Sequence, residues 1–328
     1  MPQFSFIQIA LNTIDLGATV RFYNEVFGYA NAGGQVGWGD VMHVQGLDPD
    51  GQAVVWWMVG KHPRIQFEIF HHTGPLIREQ REDWSPADHG WVRYGVGVSD
   101  FDAVARKLAA RGIAPIGEVV VTDGNRRLAI RDPYAGIVIE IWDHGPDLPV
   151  DWPVEANAAD PQILYVTHSL SDLAAARDYY SRVLGFEPEP LDRLHGKADE
   201  AIWGLPGAQR DGFLLPAGNG YIEVVEYASP RGRPRRDDHR LSDQGIMNVG
   251  LFAREAAKVQ AVIDKLDAEG AGPGWLTEGQ DLLGCYINEA DREIELLACP
   301  PEVEVALGFT PLGEFNGGDF IRMVRRGG

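Results

Sequence analysis

Cysteine is almost absent: Cys285 and Cys299 are the only two in 328 residues. Two thiols cannot cross-link a chain of this size, which excludes a disulfide scaffold and leads us to expect a reducing, cytoplasmic setting. Basic residues are also scarce, 29 Lys and Arg against 48 Asp and Glu, for a net charge of -19. Nucleic-acid binding draws on cations that displace phosphate counterions, and an anionic membrane surface attracts the same cations, so this balance argues against both partners. Long apolar runs are missing: residues 53–59 form the longest obvious one, far short of the ~20 residues that span a bilayer. The opening MPQFSFIQIALN lacks the basic start and apolar core of an export signal. Nor is there a GxGxxG turn between strand and helix, a GxSxG elbow, a CxxC pair or an HExxH pair among the nine histidines.

What is present is a turn-rich globular chain. Hydrophobic residues make up 45% and charged residues 23%, and 39 Gly and 21 Pro point to short elements joined by turns. At roughly 150 residues per domain, the length allows about two domains.

Those two domains are copies. Asp15, Leu16, Tyr23, Val26 and Gly28 return as Asp172, Leu173, Tyr180, Val183 and Gly185, at an offset of 157. Glu68, Pro75, Gly90 and Glu140 return as Glu223, Pro230, Gly245 and Glu295, at an offset of 155. A slip of only two residues over such a span marks a duplication. Pro146, Pro149, Pro153 and Pro161 lie between the copies, placing a linker near 143–162.

Each copy divides again. The strand-like IQIALN is followed by Asp15, a helix cap, and a helix that stops at Gly28; VRYGVGV, Asp100 and a helix ending at Gly112 repeat that order. NVGLFA and REAAKVQAVIDKLDAEG repeat it in the second copy, and β-rich runs follow each helix. The predicted unit is a strand, a helix and about three strands, used four times.

The order strand, Asp-Leu, helix with paired aromatics and Gly exit resembles the vicinal oxygen chelate (VOC) superfamily. The later runs from Asp132 to Glu140 and from Glu223 to Pro230 also resemble it. This group includes glyoxalase I, methylmalonyl-CoA epimerase, fosfomycin and bleomycin resistance proteins and extradiol dioxygenases, whose four-module layout this chain is similar to. The resemblance implies an α+β fold of four βαβββ modules paired into two tandem domains, each a curved mixed sheet cupped around a site and flanked by helices. The expected limits are 1–145 and 160–300, with 301–328 an extension that holds a further strand near 320–324.

In the resembled fold, metal ligands sit on the first strand of each module and at a Glu on a later strand. By position this gives Gln8, Glu68, Arg93 and Glu140 in the first half, and Tyr165, Glu223, Asn248 and Glu295 in the second. Arg93 has no lone pair to offer. It neutralises Glu68 and Glu140, or holds a substrate carboxylate, or leaves Gln8 and the two glutamates to bind a metal beside it. In the second half Tyr165 and Asn248 stand where ring-cleaving dioxygenases have histidines, so no metal ligand set is assigned and no cofactor is predicted.

The expected chemistry is therefore acid–base: Glu223 and Glu295 face each other and split their proton affinities, and Tyr165 steadies an enolate-like oxygen. Isomerisation, epimerisation or elimination on a small organic molecule would follow, with Asn248, Tyr221, Tyr227 and His239 as further contacts in that half. Gln8, Glu68, Arg93 and Glu140 are the substrate contacts of the other. His195 lies in a loop that, like that of His239, closes over the second cup, whereas His168 reads as structural. A small-molecule binder without turnover, and a divalent-metal glyoxalase or dioxygenase with atypical ligands, remain the alternatives, and a homodimer is left open. The arginines of RGRPRRDDHR read either as a loop paired with nearby acids or as a basic rim for an anionic substrate.

Overall fold

The computed structural model describes residues 4–122, 124–149, 155–279, 282–289, 292–311, 315–317 and 322–326. The first module runs β1 (Ser5–Asn12), α1 (Leu16–Phe22), β2 (Ala30–Trp38), β3 (Gln52–Val59) and β4 (Gln66–Gly74). The second runs β5 (Gly90–Val98), α2 (Phe101–Ala109), β6 (Val120–Thr122), β7 (Asn125–Arg131) and β8 (Val138–Asp143). In the third, β9 (Gln162–Ser169) and α3 (Leu173–Asp178) lead to β10 (Gln209–Ala217) and β11 (Gly220–Ser229). The fourth runs β12 (Gly245–Ala253), α4 (Ala256–Ala268), β13 (Trp275–Glu278), β14 (Leu283–Glu289) and β15 (Arg292–Ala298). Beyond it come α5 (Pro301–Glu304), β16 (Phe315–Gly317) and β17 (Arg322–Arg325).

Local chemistry sets the units as expected. Asp15, Asp100 and Asp172 each accept a hydrogen bond from the backbone three residues on, at 2.9, 2.8 and 2.8 Å, which caps the helix that follows. The third module departs from the expected three strands. Its helix is followed by 3-10 turns, the larger being Lys197–Trp203, before the β10–β11 hairpin.

The α+β class and the two curved mixed sheets match expectation, but each sheet takes one module from each half. The larger has the order β16-β2-β3-β4-β1-β12-β15-β14-β13-β17 and joins modules 1 and 4; the smaller, β10-β11-β9-β5-β8-β7-β6, joins modules 2 and 3. First strands meet antiparallel at each seam, β1 with β12 and β5 with β9. The C-terminal extension supplies both outer strands of the larger sheet, including β17 where a strand was expected. Four residues separate β16 from β17, so at ~3.6 Å per residue those edges lie within ~18 Å. Ten strands laid flat at ~4.8 Å would hold them ~43 Å apart. The sheet is therefore curled. Buried contacts tie the sheets together, among them Tyr23 of module 1 donating to Asp132 of module 2 at 2.7 Å. Among the described residues no helix is long and apolar enough to cross a membrane.

Candidate functional site

Crossed pairing regroups the eight ligand-position residues. Gln8, Glu68, Asn248 and Glu295 share the cup of modules 1 and 4, and Arg93, Glu140, Tyr165 and Glu223 share that of modules 2 and 3. Glu223 and Glu295 thus lie in different sheets and cannot form the expected acid–base pair.

In the cup of modules 1 and 4, the strand register builds two rows on one face. One is Trp57, Glu68, Ala10 and Asn248; the other is Gln8, Gly250, Glu295 and Tyr286. The small residues leave room. A Cβ on Gly250 would stand 2.7 Å from the Gln8 side chain, closer than such atoms approach. Glu68 is held at both oxygens, by Gln8 Nε2 and by Trp57 Nε1 at 3.1 Å. Glu295 is not: it hydrogen-bonds the Tyr286 hydroxyl, but its Oε2, shielded from water, has no partner. Asn248 is fully buried; its Oδ1 has no partner, and its Nδ2 is within reach of the Tyr286 hydroxyl.

Around these groups lies a solvent-open cavity of about 720 Å³ with apolar and amide walls. Among the described residues no Lys, Arg or His lines it. Two carboxylates thus share a low-dielectric site without a counter-charge. Burial pushes Glu295 up to about 7, and burial together with the charge of Glu295 raises Glu68.

This arrangement fits a divalent cation. Two carboxylates supply the opposing charge, and Asn248 Oδ1 and Glu295 Oε2 are donors with nothing to bind. Gln8 would add its Oε1 if its carboxamide turned about. Among the described residues no group of three His, Cys, Asp or Glu side chains is arranged to hold a metal ion, so the donor set here is all oxygen, half of it neutral. Such a set suits hard ions such as magnesium or manganese.

The cup of modules 2 and 3 is closed by its own side chains. Arg93, wholly buried, donates to Glu223 at 2.5 Å and to the Tyr227 hydroxyl at 3.0 Å, and stacks 3.6 Å over Trp203. The His195 imidazole lies between the carboxylates, 2.8 Å from Glu223 and 3.2 Å from Glu140. Tyr165 and Trp203 donate to Glu140. Arg127 pairs with Glu140 and Asp199, and Arg210 with Glu200. Four cations, counting His195 as protonated, face four carboxylates. Burial alone would raise Glu223, but Arg93 and His195 outweigh it and hold it well below the usual carboxylate range. Burial would lower His195, yet Glu223 and Glu140 raise it.

The two cups differ through one element. The 3-10 segments Gly39–Gln45 and Lys197–Trp203 both run seven residues and end on left-handed glycines, Gly46 (φ 66°) and Gly204 (φ 79°). Counting back from those ends, His195 corresponds to Gly37, and Asp199, Glu200 and Trp203 correspond to Val41, Met42 and Gln45. The first set fills its cup. Gly37, Val41, Met42 and Gln45 line an open one.

The remaining expectations are corrected by position. Arg93 neutralises Glu223, not Glu68 and Glu140, and no substrate carboxylate can reach it. The hydroxyl of Tyr165 is taken by Glu140, and Tyr227 belongs to the same sealed network, donating to Glu200 at 2.8 Å. Tyr221 bonds the Asp147 carbonyl at 3.2 Å. His239 reaches neither cup; it lies 3.3 Å from Asp243 beside a separate cavity of about 630 Å³ at the loops before β5 and β12. In the arginine-rich loop, Arg233, Arg235 and Arg240 pair with Asp83 and Asp88, Glu293 and Asp243 respectively, as the loop reading expects. His168 is structural, 3.1 Å from the Tyr180 hydroxyl. Tyr286 and Arg127 were missed; of the adjacent Trp56 and Trp57, whose alternation sends one to the core and one to a cup, Trp57 is the one beside Glu68. The signal for Trp57 and Tyr286 was their register opposite the two glutamates.

Residues 5–141 match the model of the Glyoxalase/Bleomycin resistance protein/Dioxygenase superfamily. Among solved structures, the chain is similar to glyoxalase I from Zea mays, at 13% identity over 93% of this chain and 95% of that one, with a TM-score of 0.57. It is also similar to a putative dioxygenase from Bacillus subtilis, at 12% identity over 90% and 86%, with a TM-score of 0.57. At these identities the likeness is one of fold. No curated protein matches the chain at a significant level.

Proposed function

From a chain whose residues 5–141 belong to the glyoxalase/bleomycin resistance protein/dioxygenase superfamily, we propose an enzyme that moves a proton at a carbon beside a carbonyl. Its site is the cup of modules 1 and 4, and its products are those of isomerisation, epimerisation or elimination. The observation that carries this reading is the asymmetry of two carboxylates in one uncharged cavity. Both oxygens of Glu68 are held by N–H donors, whereas Glu295 keeps a free Oε2.

Glu295 Oε2 takes the proton, and the electron pair left on carbon moves toward the carbonyl oxygen. The Asn248 carboxamide, buried beside the Tyr286 hydroxyl, would turn an N–H toward that oxygen. The proton then returns to the neighbouring atom in isomerisation or to the opposite face in epimerisation, whereas in elimination the electron pair expels a leaving group from the adjacent carbon. A divalent cation held by Gln8, Glu68, Asn248 and Glu295 would polarise the carbonyl. The free, buried Cys285 and Cys299 support a reducing, cytoplasmic setting.

The test is proton exchange in D2O, followed by NMR over a panel of α-hydroxy ketones and 2-oxo aldehydes. Glu295→Gln should slow exchange by about 100-fold or more, and Glu223→Gln should retain it if the protein folds. Exchange that persists in Glu295→Gln would overturn the assignment.

A further inference from the structure

Outward from its two glutamates, the same cup has a wall that specifies what it can hold. Val55, Phe70, Leu307 and Phe309 make it largely apolar, and the neutral polar groups among them include the amides of Gln35, Gln45 and Gln66. Gln66 is buried, and its Nε2 donates to the Leu307 carbonyl at 3.1 Å. That bond fixes the amide's orientation, because only the nitrogen can donate to a carbonyl. Gln66 Oε1 is therefore an acceptor, and it has no donor. Gln35 Oε1 is likewise buried and unpartnered. An orphaned acceptor inside an apolar wall is costly unless a ligand supplies the missing donor.

We propose that the substrate of this cup is uncharged and largely apolar away from its reacting carbonyl, and carries a hydroxyl or amide N–H that donates to Gln66 Oε1. This rests on the reading of the cup as the reaction site. A carboxylate or phosphate on that part of the molecule would be buried with no cation to meet it, in a chain whose net charge of -19 already repels anions. An ammonium would meet no carboxylate on this wall. Leu307 and Phe309 come from beyond the fourth module, so the extension takes part in the selection. The sealed cup shows the contrast: its counterpart of the Gly39–Gln45 segment brings in Asp199, Glu200 and Trp203, which the arginines there require.

The test uses the protein loaded with Mn2+ and two probes sharing a hydroxamate head, 4-(hydroxymethyl)benzohydroxamate and 4-carboxybenzohydroxamate, compared by titration calorimetry. The hydroxymethyl probe should bind at least tenfold more tightly. Gln66→Leu should weaken it by about tenfold, and Gln35→Arg, at a partly exposed position, should tighten the carboxy probe by at least tenfold. Equal binding of the two probes by the unaltered protein would overturn the inference and leave the cup as the site. Failure of both probes to bind would overturn the assignment of the cup, and this inference with it.

Discussion

Replacing Arg93 by Met removes the cation at the centre of the sealed cup while keeping most of its volume. The guanidinium is wholly buried, 2.5 Å from Glu223 and 3.6 Å over Trp203. Its loss leaves Glu223 in a low-dielectric site with Thr167, at 2.7 Å, and His195 as its remaining hydrogen-bond partners and Arg210 as a further positive charge. Breaking a buried pair from one side costs about 3–5 kcal/mol. The cation–π contact, worth about 2 kcal/mol when desolvated, overlaps that figure and is not added to it. With a urea slope near ~3 kcal/mol per molar, the midpoint should fall by at least about 1 M. A second variant isolates the cause. Arg93→Met with Glu223→Gln carries no uncompensated charge and should regain at least half of the loss. The assay is urea unfolding followed by fluorescence and circular dichroism together. A cost below about 1 kcal/mol for Arg93→Met, or a double variant as unstable as the single one, would refute the account of the cup as a charge-balanced plug.

Other consequences follow from the same geometry. His195 is raised above its usual value, so its share of stability is complete below about pH 6.5 and is lost as pH climbs through the raised value. Glu223 and Glu140 are lowered, so theirs is complete above about pH 4.5 and is lost as pH falls through the lowered values. Urea midpoints across pH 5–9 should show the alkaline decline in the native protein and a shallower one in His195→Asn; identical slopes would contradict it. Gly250→Val should push Gln8 away from Glu68 and weaken Mn2+ binding at least tenfold, measured by paramagnetic resonance; unchanged affinity would remove Gln8 from the donor set. Gly95→Ala would place a Cβ 2.1 Å from the Tyr165 ring. Overpacking of that kind costs about 1–3 kcal/mol, readable as a lowered urea midpoint, and no change would mean that the sealed cup has slack.

Much of this was legible because it is local. Asp15, Asp100 and Asp172 announce helices through their own caps, and the glutamates recur at a fixed offset. Module pairing was not, because β1 has the same kind of edge to offer β5 or β12, and strand propensity is blind to that choice. What decides it lies in side chains across the seam. Gly250 gives way to Gln8, and Gly95 gives way to Tyr165. Charge carried a second clue: Arg93 finds Glu223 only if modules 2 and 3 meet. The plugging role of His195 depended on matching it to Gly37 through the glycines that end the two 3-10 segments, a correspondence that a single residue offset does not reveal.

The two cups have divided, one open and lacking a cation, the other filled with its own. Counting Mn2+ sites by paramagnetic resonance distinguishes them. One site per chain is expected, lost in Glu68→Gln and Glu295→Gln and kept in Glu140→Gln. Two sites, none, or a site abolished by Glu140→Gln and kept in Glu295→Gln would contradict it.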